Sequence, residues 1–468
     1  MLFNSISFLV YFLPIVFLIY NFLRLNLLSK NYNKIFLILS SLIFYSLYEI
    51  IFLPLIISSI LFNYILGNLI INKQNKKFYL FLGIILNVII LFCLKYANFF
   101  IDLFNVVGKY DLNYLNLIFP LALSFYTLQQ IGFLVDCYEN KKLKFNIIDY
   151  AFFVTFFPQL VAGPILYFND IKKQLGNRFS KFSLTNICLA IFLISLGLFK
   201  KTIISDFFAK YSDTGNINSE DLNILDAWIS SLSFTNQIYF GFSGYSDIAI
   251  GISLLFGIKI INNFNSPYKS ESIIEFWDRW HISLSNFIKA YMFAPALKYI
   301  KRLNEIKLSV VTFLIMVLIG FWHGPSLNFI IFGALHGLAI IINRQFRKLN
   351  FNFSKKFNIF LTFMFINMAF VFFRAPDFSV ARNIVISMFN FNNLSLLTIY
   401  GEKNFLLFFV FTPIIFYFLF FKRNSKELSS NFVANKKKLI LTLLMFISSM
   451  YSILKSYGVE NKFIYFMF

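Results

Sequence analysis

Uninterrupted runs of apolar residues recur along the whole chain, separated by short polar segments. One run, IIFLPLIISSILFNYILGNLII at residues 50–71, provides the roughly 20 apolar residues that a helix needs to cross the core of a bilayer. A membrane β-barrel would instead show segments of about ten residues in which apolar and polar positions alternate. Because helices pair their backbone groups within one segment, the pattern predicts an all-α polytopic membrane protein with about eleven hydrophobic segments.

Composition supports this class and gives the chain an orientation. Of its 468 residues, 59% are hydrophobic and only 13% are charged, and the formal net charge is +21. Lysine and arginine lie in short segments between apolar runs, at residues 29–34, 72–77, 140–144, 344–356 and 421–438. This distribution follows the positive-inside rule, so we expect these segments to face the cytoplasm and expect no binding of nucleic acid. The sequence has no Gly/Ser linker and no fixed-period repeat, which favours a single membrane domain over residues 1–468.

Two apolar regions carry basic segments on both sides, and this constrains their topology. They are residues 150–168 and 308–342, and each must either cross the membrane twice or enter and return. In the second region Gly324 and Pro325 directly follow His323, and proline cannot continue the hydrogen bonding of a helix. Broken helices at membrane depth are tolerated only where protein or a water-filled cavity surrounds them. We therefore expect re-entrant or broken helices in these regions.

Histidine is the side chain best suited to transfer protons near neutral pH. The chain has only three, His281, His323 and His336, and three of its four tryptophans fall in the same stretch. A zinc site would be expected to show close ligand spacing such as HExxH, and a serine hydrolase a GxSxG turn. Both motifs are missing from the sequence, so we expect proton-transfer chemistry here and no metal.

The first histidine lies beside a stripe of aromatic residues. Phe276, Trp280, Phe287 and Tyr291 are spaced as one face of a helix. This spacing predicts an interfacial amphipathic helix whose tryptophans lie at the level of the lipid headgroups. His281 would then lie near the membrane boundary, within reach of water, where a catalytic and a structural role are equally compatible with the sequence.

His323 ends the apolar run KLSVVTFLIMVLIGFW. Ionisable groups at membrane depth cost roughly 2.5 to 3.5 kcal/mol on insertion scales and tend to face functional cavities. A desolvated imidazole stays neutral, which is the form that a general base needs; a hydrogen-bonded structural histidine is the alternative. His336 lies between Gly333 and Gly337, where helices can approach closely, so we predict a helix-packing or supporting role for it.

The strings FWDRWHISLS at 276–285 and GFWHGPSLNFIIFGALHG at 320–337 resemble the signature pair of the membrane-bound O-acyltransferase superfamily. The resemblance is closest to the branch that O-acetylates alginate and peptidoglycan. Further matching motifs are LSFYTLQQIGFLVDCY at 123–138, FFPQLVAGPILYFNDI at 156–171 and IYFGFSGYSDIAIGISLLFGIKIINNFNSPY at 238–268. The likeness therefore runs along essentially the whole chain.

This resemblance implies helices around a central tunnel through the cytoplasmic membrane of a bacterium. Acetyl-CoA or another acyl thioester would enter as donor substrate from the cytosol, with no bound cofactor, and the acyl group would leave to a hydroxyl on the outer side. His323 matches the histidine that is essential in the family, and His281 matches the second one. Supporting or tunnel-lining residues would be Trp322, Ser326, Asn328, His336, Trp280 and Asp247. Arg279 and Lys289 would attract the phosphates of the donor, with lipid-directed snorkelling as the alternative.

The function implied is O-acetylation of a cell-envelope polysaccharide such as peptidoglycan or an alginate-like polymer. The partners implied are an extracytoplasmic esterase-fold acetyltransferase or another acyl acceptor protein, together with membrane lipid. Two alternatives stay open: D-alanyl transfer to teichoic acid-type polymers, and a transporter or flippase for a polysaccharide intermediate, which would predict inverted repeats. The chain departs from the family pattern at Gly241, where relatives commonly carry an acid, and in KAYMFAPALKYIKR at 289–302.

Overall fold

The computed structural model describes residues 2–25, 30–140, 143–161, 163–176, 183–300, 302, 304–349, 353–393, 395 and 399–456. Over these residues the regular elements are all helical. Ten helices in them are long and apolar enough to cross a membrane, among them Ile50–Asn72, Ile224–Leu255 and Glu305–His323. Two shorter apolar helices, Ala97–Gly108 and Phe378–Met388, add to these. The prediction of an all-α polytopic membrane protein is confirmed.

The helices are numbered in chain order. The first eleven are α1 (Leu13–Leu25), α2 (Lys30–Ser46), α3 (Leu53–Asn72), α4 (Lys76–Lys95), α5 (Ala97–Gly108), α6 (Leu123–Glu139), α7 (Ile147–Thr155), α8 (Phe157–Leu160), α9 (Phe168–Gly176), α10 (Leu184–Phe199) and α11 (Asp206–Ile217). The others are α12 (Ile224–Leu255), α13 (Ile273–Arg279), α14 (Ile282–Ile288), α15 (Ala294–Lys298), α16 (Glu305–His323), α17 (Leu327–Lys348), α18 (Lys355–Arg374), α19 (Phe378–Met388), α20 (Gly401–Phe421), α21 (Ser425–Ser430) and α22 (Lys436–Lys455). Short π-helical turns at Ser7–Phe12, Lys200–Ser205 and Lys289–Phe293 extend neighbouring α-helices.

The chain divides into two compact units. The first consists of the residues up to Ile194 together with Ile248–Ile261, and the second of Ser195–Asp247 and the residues from Asn262 onward. All three histidines belong to the second unit.

In the first unit, the region 150–168 enters the fold without a helix long enough to span the membrane. Helix α7 has 9 residues and α8 has 4, so together they rise about 20 Å against a bilayer core of about 30 Å. Between them, Phe156 has an extended ψ of 104° that breaks the helix. Lys34 and Asp149, both buried, form an ion pair of 2.5 Å that ties α2 to α7. The shortness of these two helices fits the re-entrant one of the two predicted topologies.

In the second unit, the region 308–342 is a hairpin of two spanning helices, α16 and α17. The chain breaks between them at Gly324–Ser326, as the Gly-Pro dipeptide predicts. A Cβ atom built on Gly320 would lie 2.1 Å from the carbonyl oxygen of Phe329, and one on Gly333 would lie 2.3 Å from that of Met316. Only glycine allows the two backbones to approach this closely. This region therefore crosses twice.

A network of buried amides joins three helices of the first unit. Asn63 of α3 and Asn87 of α4 donate to each other's side-chain oxygens, at 3.3 and 2.7 Å. Gln130 of α6 accepts from Ser59 at 2.7 Å and from Asn63 at 2.8 Å. A buried amide that loses its partner costs about 1–3 kcal/mol, so this network contributes to the choice of helix neighbours.

We expect Asn63→Ala to lower the free energy of unfolding by about 1–3 kcal/mol, because it leaves amide groups of Asn87 and Gln130 buried without their partner. The measurement is the midpoint of thermal unfolding of the purified protein in detergent. Asn68→Ala is the matched control, since Asn68 lies on the same helix, is less buried, and bonds to the backbone oxygen of Tyr64. Equal midpoints for the two variants would contradict a stabilising network.

Candidate active site

The backbone around His281 leaves the helical conformation for two residues. Helix α13 ends at Arg279, Trp280 is extended with φ −100° and ψ 130°, and His281 has left-handed φ 43° and ψ 54° before α14 begins. The prediction of one continuous helical stripe is therefore wrong. The stripe is broken because residues 279–282 turn to pair with residues 263–265. The backbone N–H of Asn265 donates to the oxygen of Arg279 at 2.9 Å, and that of Ile282 donates to the oxygen of Asn263 at 3.0 Å.

This turn buries the residues that the sequence placed at the membrane surface. Trp280 is 4% exposed and His281 is 1% exposed. The ring of Trp280 packs against those of Phe264, Phe276 and Phe370, with centres 5.0, 5.5 and 5.3 Å apart. The prediction of a solvated His281 is wrong, because the residue is buried inside the protein. The level of the tryptophans relative to the lipid headgroups stays a prediction.

The hydrogen bonds around His281 define which of its ring nitrogens carries the proton. Oδ1 of Asn263 accepts from the backbone N–H of Ser283 at 3.0 Å and from its hydroxyl at 2.9 Å. A backbone N–H can only donate, so this atom of Asn263 is the oxygen. The Nδ1 of His281, 3.3 Å from the same oxygen, must therefore be the donor. In the neutral ring Nε2 then carries no proton and can only accept a hydrogen bond.

Nε2 of His281 is buried and makes no hydrogen bond to any described part of the chain. His281 lies outside the ten candidate spans, and burial lowers its pKa from the usual 6.5 to about 3. The ring therefore stays neutral at any physiological pH. A neutral imidazole whose Nε2 carries no proton can accept one, which is the first requirement of a general base.

His323 is the last residue of α16, at the break of the hairpin. The residue is buried, but 7% of its surface stays exposed. Its ring lies among Trp322, Phe373 and Phe332, with centres 5.0, 5.2 and 6.4 Å away. The helix break thus places the imidazole in an aromatic environment.

His336 has the opposite hydrogen-bonding arrangement from His281. The indole N–H of Trp277 donates to its Nδ1 at 3.3 Å, so in the neutral ring Nε2 carries the proton. The side chain is fully buried, and Nε2 has no partner in the described part of the chain. It lies between Gly333 and Gly337, where α16 and α17 touch. A supporting role for His336 stays a prediction, and its geometry is that of a donor rather than a base.

Aromatic rings connect the three histidines within the second unit. Phe332 lies 4.5 Å from His336 and 6.4 Å from His323. From His336 the contacts continue through Phe276, Trp280, Phe264 and Phe242, and Phe242 lies 4.7 Å from His281. Among the described residues there is no group of three or more His, Cys, Asp or Glu side chains that would hold a metal ion.

The remaining candidates fall into two groups. Trp322 contacts His323, Ser326 caps the start of α17 without a side-chain hydrogen bond, and the amide nitrogen of Asn328 donates to the oxygen of Ala375 at 3.0 Å. These residues lie at the helix break. Asp247 instead bonds to Lys200 and to the hydroxyl of Ser425, both at 2.7 Å, which is a structural arrangement.

Each of the two cations predicted to meet the donor pairs with an acid of α13. Arg279 pairs with Glu275 at 2.5 Å, and Lys289 pairs with Asp278 at 2.5 Å. Arg279 also lines a cavity of about 930 Å³. Their role in donor binding stays a prediction.

The sequence reading missed Asn263, Ser283 and Trp277 as partners of the histidines. Asn263 lies within NNFNSPY, inside one of the resembling motifs. No periodicity reveals a contact between residues 18 positions apart, such as Asn263 and His281. The indole of Trp277 is separated from His336 by 59 positions. Folding alone brings these pairs together.

Gly241 is the position at which relatives commonly carry an acid. A Cβ atom built there would lie 2.9 Å from Oγ of Ser205, closer than side chains tolerate. Ser205 donates to the backbone oxygen of Gln237 at 2.9 Å. In this chain a serine hydroxyl therefore occupies the space beside position 241.

A cavity of about 1120 Å³ lies between α13, α17 and α18. Polar residues line it, among them Ser272, Asn343, Arg347 and Asn358. Its lining also includes Phe365, whose ring centre is 5.4 Å from that of His336. The cavity therefore extends from the basic segment 344–356 toward the aromatic network that holds the histidines.

Comparison with known proteins adds independent information. The family described as MBOAT, membrane-bound O-acyltransferase family, matches residues 138–375. The chain is 40% identical over 429 residues to the peptidoglycan O-acetyltransferase of Helicobacter pylori, covering 85% of this chain and 81% of that protein. It is 34% identical over 410 residues to the probable alginate O-acetylase AlgI of Pseudomonas aeruginosa, covering 85% and 76%. It is 28% identical over 242 residues to the teichoic acid D-alanyltransferase of Bacillus subtilis, covering 50% of this chain and 61% of that protein.

We expect the ring of His281 to stay neutral with a protonated Nδ1 as the pH falls from 8 to 5, because burial holds its pKa near 3. With only three histidines in the chain, ¹⁵N-histidine labelling gives a spectrum in which each ring can be assigned by its alanine variant. Asn263→Ala should remove the acceptor of Nδ1 and shift the two nitrogen resonances of His281 toward those of a tautomeric mixture.

Asn262→Ala is the matched control, since Asn262 is the preceding residue and is only partly buried. It should leave the spectrum of His281 unchanged. An imidazolium signal from His281 above pH 5 in the unsubstituted protein would contradict the assignment.

Proposed function

The chain belongs to the membrane-bound O-acyltransferase family, and from this membership we propose that it transfers an acetyl group from a cytosolic thioester toward hydroxyls of a cell-envelope polysaccharide. It is an acyltransferase and a multi-pass protein of the bacterial cytoplasmic membrane. The relatives with the largest coverage are named for O-acetylation of peptidoglycan and alginate. Their similarity supports acetyl as the transferred group and an envelope polymer as its destination.

The observation that carries the chemistry is the bare, buried Nε2 of His281. As the acceptor hydroxyl attacks the thioester carbonyl, a new C–O bond forms and Nε2 takes the hydroxyl proton. Collapse of the tetrahedral intermediate breaks the C–S bond, and the proton passes to the thiolate that leaves. Asn263 stabilises the imidazolium that forms in between, because its oxygen accepts from Nδ1–H in both states of the ring.

His323 is proposed as the second catalytic imidazole, as the family resemblance implies. Its position at the helix break leaves it slightly exposed, at 7%, which suits a residue that meets a substrate. Trp322 lies beside it, and Ser326 and Asn328 follow at the start of α17. We propose that these side chains orient the reacting groups.

The donor is proposed to bind in the cavity between α13, α17 and α18. The cavity starts at a basic segment that the positive-inside rule assigns to the cytoplasm. Its amide and hydroxyl groups, from Asn343, Asn358 and Ser272, can bond to the amides of a pantetheine arm, and Arg347 to a phosphate. Lys355 and Arg279 pair with Glu271 and Glu275 of the cavity lining, so these carboxylates do not repel an anionic donor.

Two alternative functions, D-alanyl transfer and the flipping of a polysaccharide intermediate, differ from acetyl transfer in what is moved. D-alanyl transfer is supported by a match over about half of the chain, against 85% for the O-acetylating relatives. A flippase would move a polymer intermediate and leave the imidazoles without a chemical task. We propose that the acetyl group passes to an extracytoplasmic esterase-fold acetyltransferase, which completes the transfer.

We expect His281→Ala and His323→Ala each to reduce polymer-linked acetate by at least about a hundredfold, since general acid–base catalysis contributes about 10²–10⁴-fold. The measurement is acetate released by mild base from envelopes of a deletion strain that carries each variant at equal membrane amounts. Cys188→Ala is the control for expression, because this cysteine lies in α10 away from the histidines in sequence. Base-labile D-alanine in place of acetate would favour the D-alanyl rival, and unchanged ester in both variants would favour the flippase.

We expect Arg347→Gln to raise the KM for acetyl-CoA about tenfold with little change in kcat, because a charge-assisted hydrogen bond to a donor phosphate contributes about 1.5–3 kcal/mol. The assay is acetyl transfer by purified protein in nanodiscs. Arg382→Gln is the matched control, since Arg382 lies on the exposed face of α19. An equal effect of both substitutions, or an effect of Arg347→Gln on kcat alone, would exclude the cavity as the donor site.

A further inference from the structure

A second large opening in the same unit runs between α12, α18 and α20 and has a different chemical character. It has a volume of about 930 Å³. Apolar side chains of α12 and α20 form its walls, including Trp228, Leu232, Phe416 and Phe420. We call it the cationic groove because of the residues at one of its ends.

That end carries four cations, Lys269, Arg279, Lys355 and Lys356. They lie where α20 stops, since Nζ of Lys269 donates to the oxygen of Lys422 at 3.0 Å. Lys355 and Lys356 open α18. The described lining of the groove contains these four cations and no carboxylate. Arg279 and Lys355 pair with Glu275 and Glu271, which lie outside this lining, so four cations and two acids leave a net charge of +2 at this end. This net charge complements an anion.

The length of the groove fits one leaflet of a bilayer. Its lining on α20 extends from Phe408 to Phe421, which corresponds to about 20 Å at 1.5 Å per residue. One leaflet contributes about 15 Å of hydrocarbon. The charged end belongs to the basic segments that the positive-inside rule assigns to the cytoplasm. An occupant with an anionic head at that end would have its chain lie along the aromatic wall.

The acyl donor is also an anionic molecule, and the lining of the groove distinguishes the two. None of the three histidines lines the groove, and Phe365, the cavity residue that contacts His336, does not line it either. The cavity proposed for the donor has no histidine in its lining either, but its Phe365 contacts His336 directly. This contact favours the cavity over the groove as the site of the donor.

We propose that the cationic groove binds an anionic phospholipid of the cytoplasmic leaflet, with its phosphate at Lys269 and Lys356 and an acyl chain along α20. The walls supply the apolar contact with the acyl chain. The lysines supply selectivity for negative headgroups.

The test measures lipid binding to the purified full chain by native mass spectrometry, after removal of co-purified lipid and without donor or acceptor. The probes are phosphatidylglycerol and phosphatidylcholine with identical chains, and acetyl-CoA as competitor. Phosphatidylglycerol should bind at least tenfold more tightly. The double variant Lys269→Gln with Lys356→Gln should weaken its binding about 25-fold, at about fivefold per basic residue.

The matched control is Lys436→Gln with Lys437→Gln, which removes two exposed charges at the start of another helix, α22. It should bind phosphatidylglycerol as the unsubstituted protein does. Lys356→Gln alone, at an exposed position, should give a fivefold loss even if the double variant is unstable. Equal affinity for both lipids, or displacement of phosphatidylglycerol by acetyl-CoA, would overturn the proposal. Neither result depends on acyl transfer, so the outcome is separate from that of the histidine variants.

Discussion

One carboxamide oxygen, Oδ1 of Asn263, organises the segment on which the candidate chemistry depends. It accepts hydrogen bonds from the backbone and hydroxyl of Ser283 and from Nδ1 of His281. These donors lie on both sides of a backbone reversal in which His281 itself has a left-handed conformation. A non-glycine residue at positive φ is strained and persists only where its surroundings hold it. The same oxygen thus supports the turn and selects the tautomer.

The two fully buried imidazoles show how one residue type acquires opposite properties from its neighbours. His281 faces an acceptor through Nδ1, so its free nitrogen accepts a proton. His336 faces the indole donor of Trp277 through Nδ1, so its free nitrogen donates. Composition and burial are alike at the two sites, and only the hydrogen-bond partner differs. To decide which histidine can act as a base, the hydrogen-bond partner of each ring must therefore be known. Burial alone does not decide it.

Much of the architecture follows from the sequence because it rests on local rules. Apolar runs predict the spanning helices, and the Gly-Pro dipeptide after His323 predicts the break that the structure has between α16 and α17. The prediction of a helical stripe through Trp280 is wrong because helical periodicity assumes a continuous helix. Backbone pairing with residues 263–265 interrupts that helix. The partners of the histidines escape prediction for a related reason. Asn263 and Trp277 reach them through tertiary packing, which leaves no periodic signal.

The distribution of charge separates structural residues from residues that remain available to ligands. Acids are scarce, 21 against 42 basic residues, and the buried ones are committed to partners. Asp149 pairs with Lys34, and Asp247 with Lys200, because a buried charge without a partner would be expensive. Basic side chains therefore outnumber carboxylates in the basic segments of the chain. Basic side chains that lie at an apolar groove contact either water or an anion. At the end of α20, Arg279 and Lys355 pair with acids of the protein, whereas the charges of Lys269 and Lys356 are explained by a ligand.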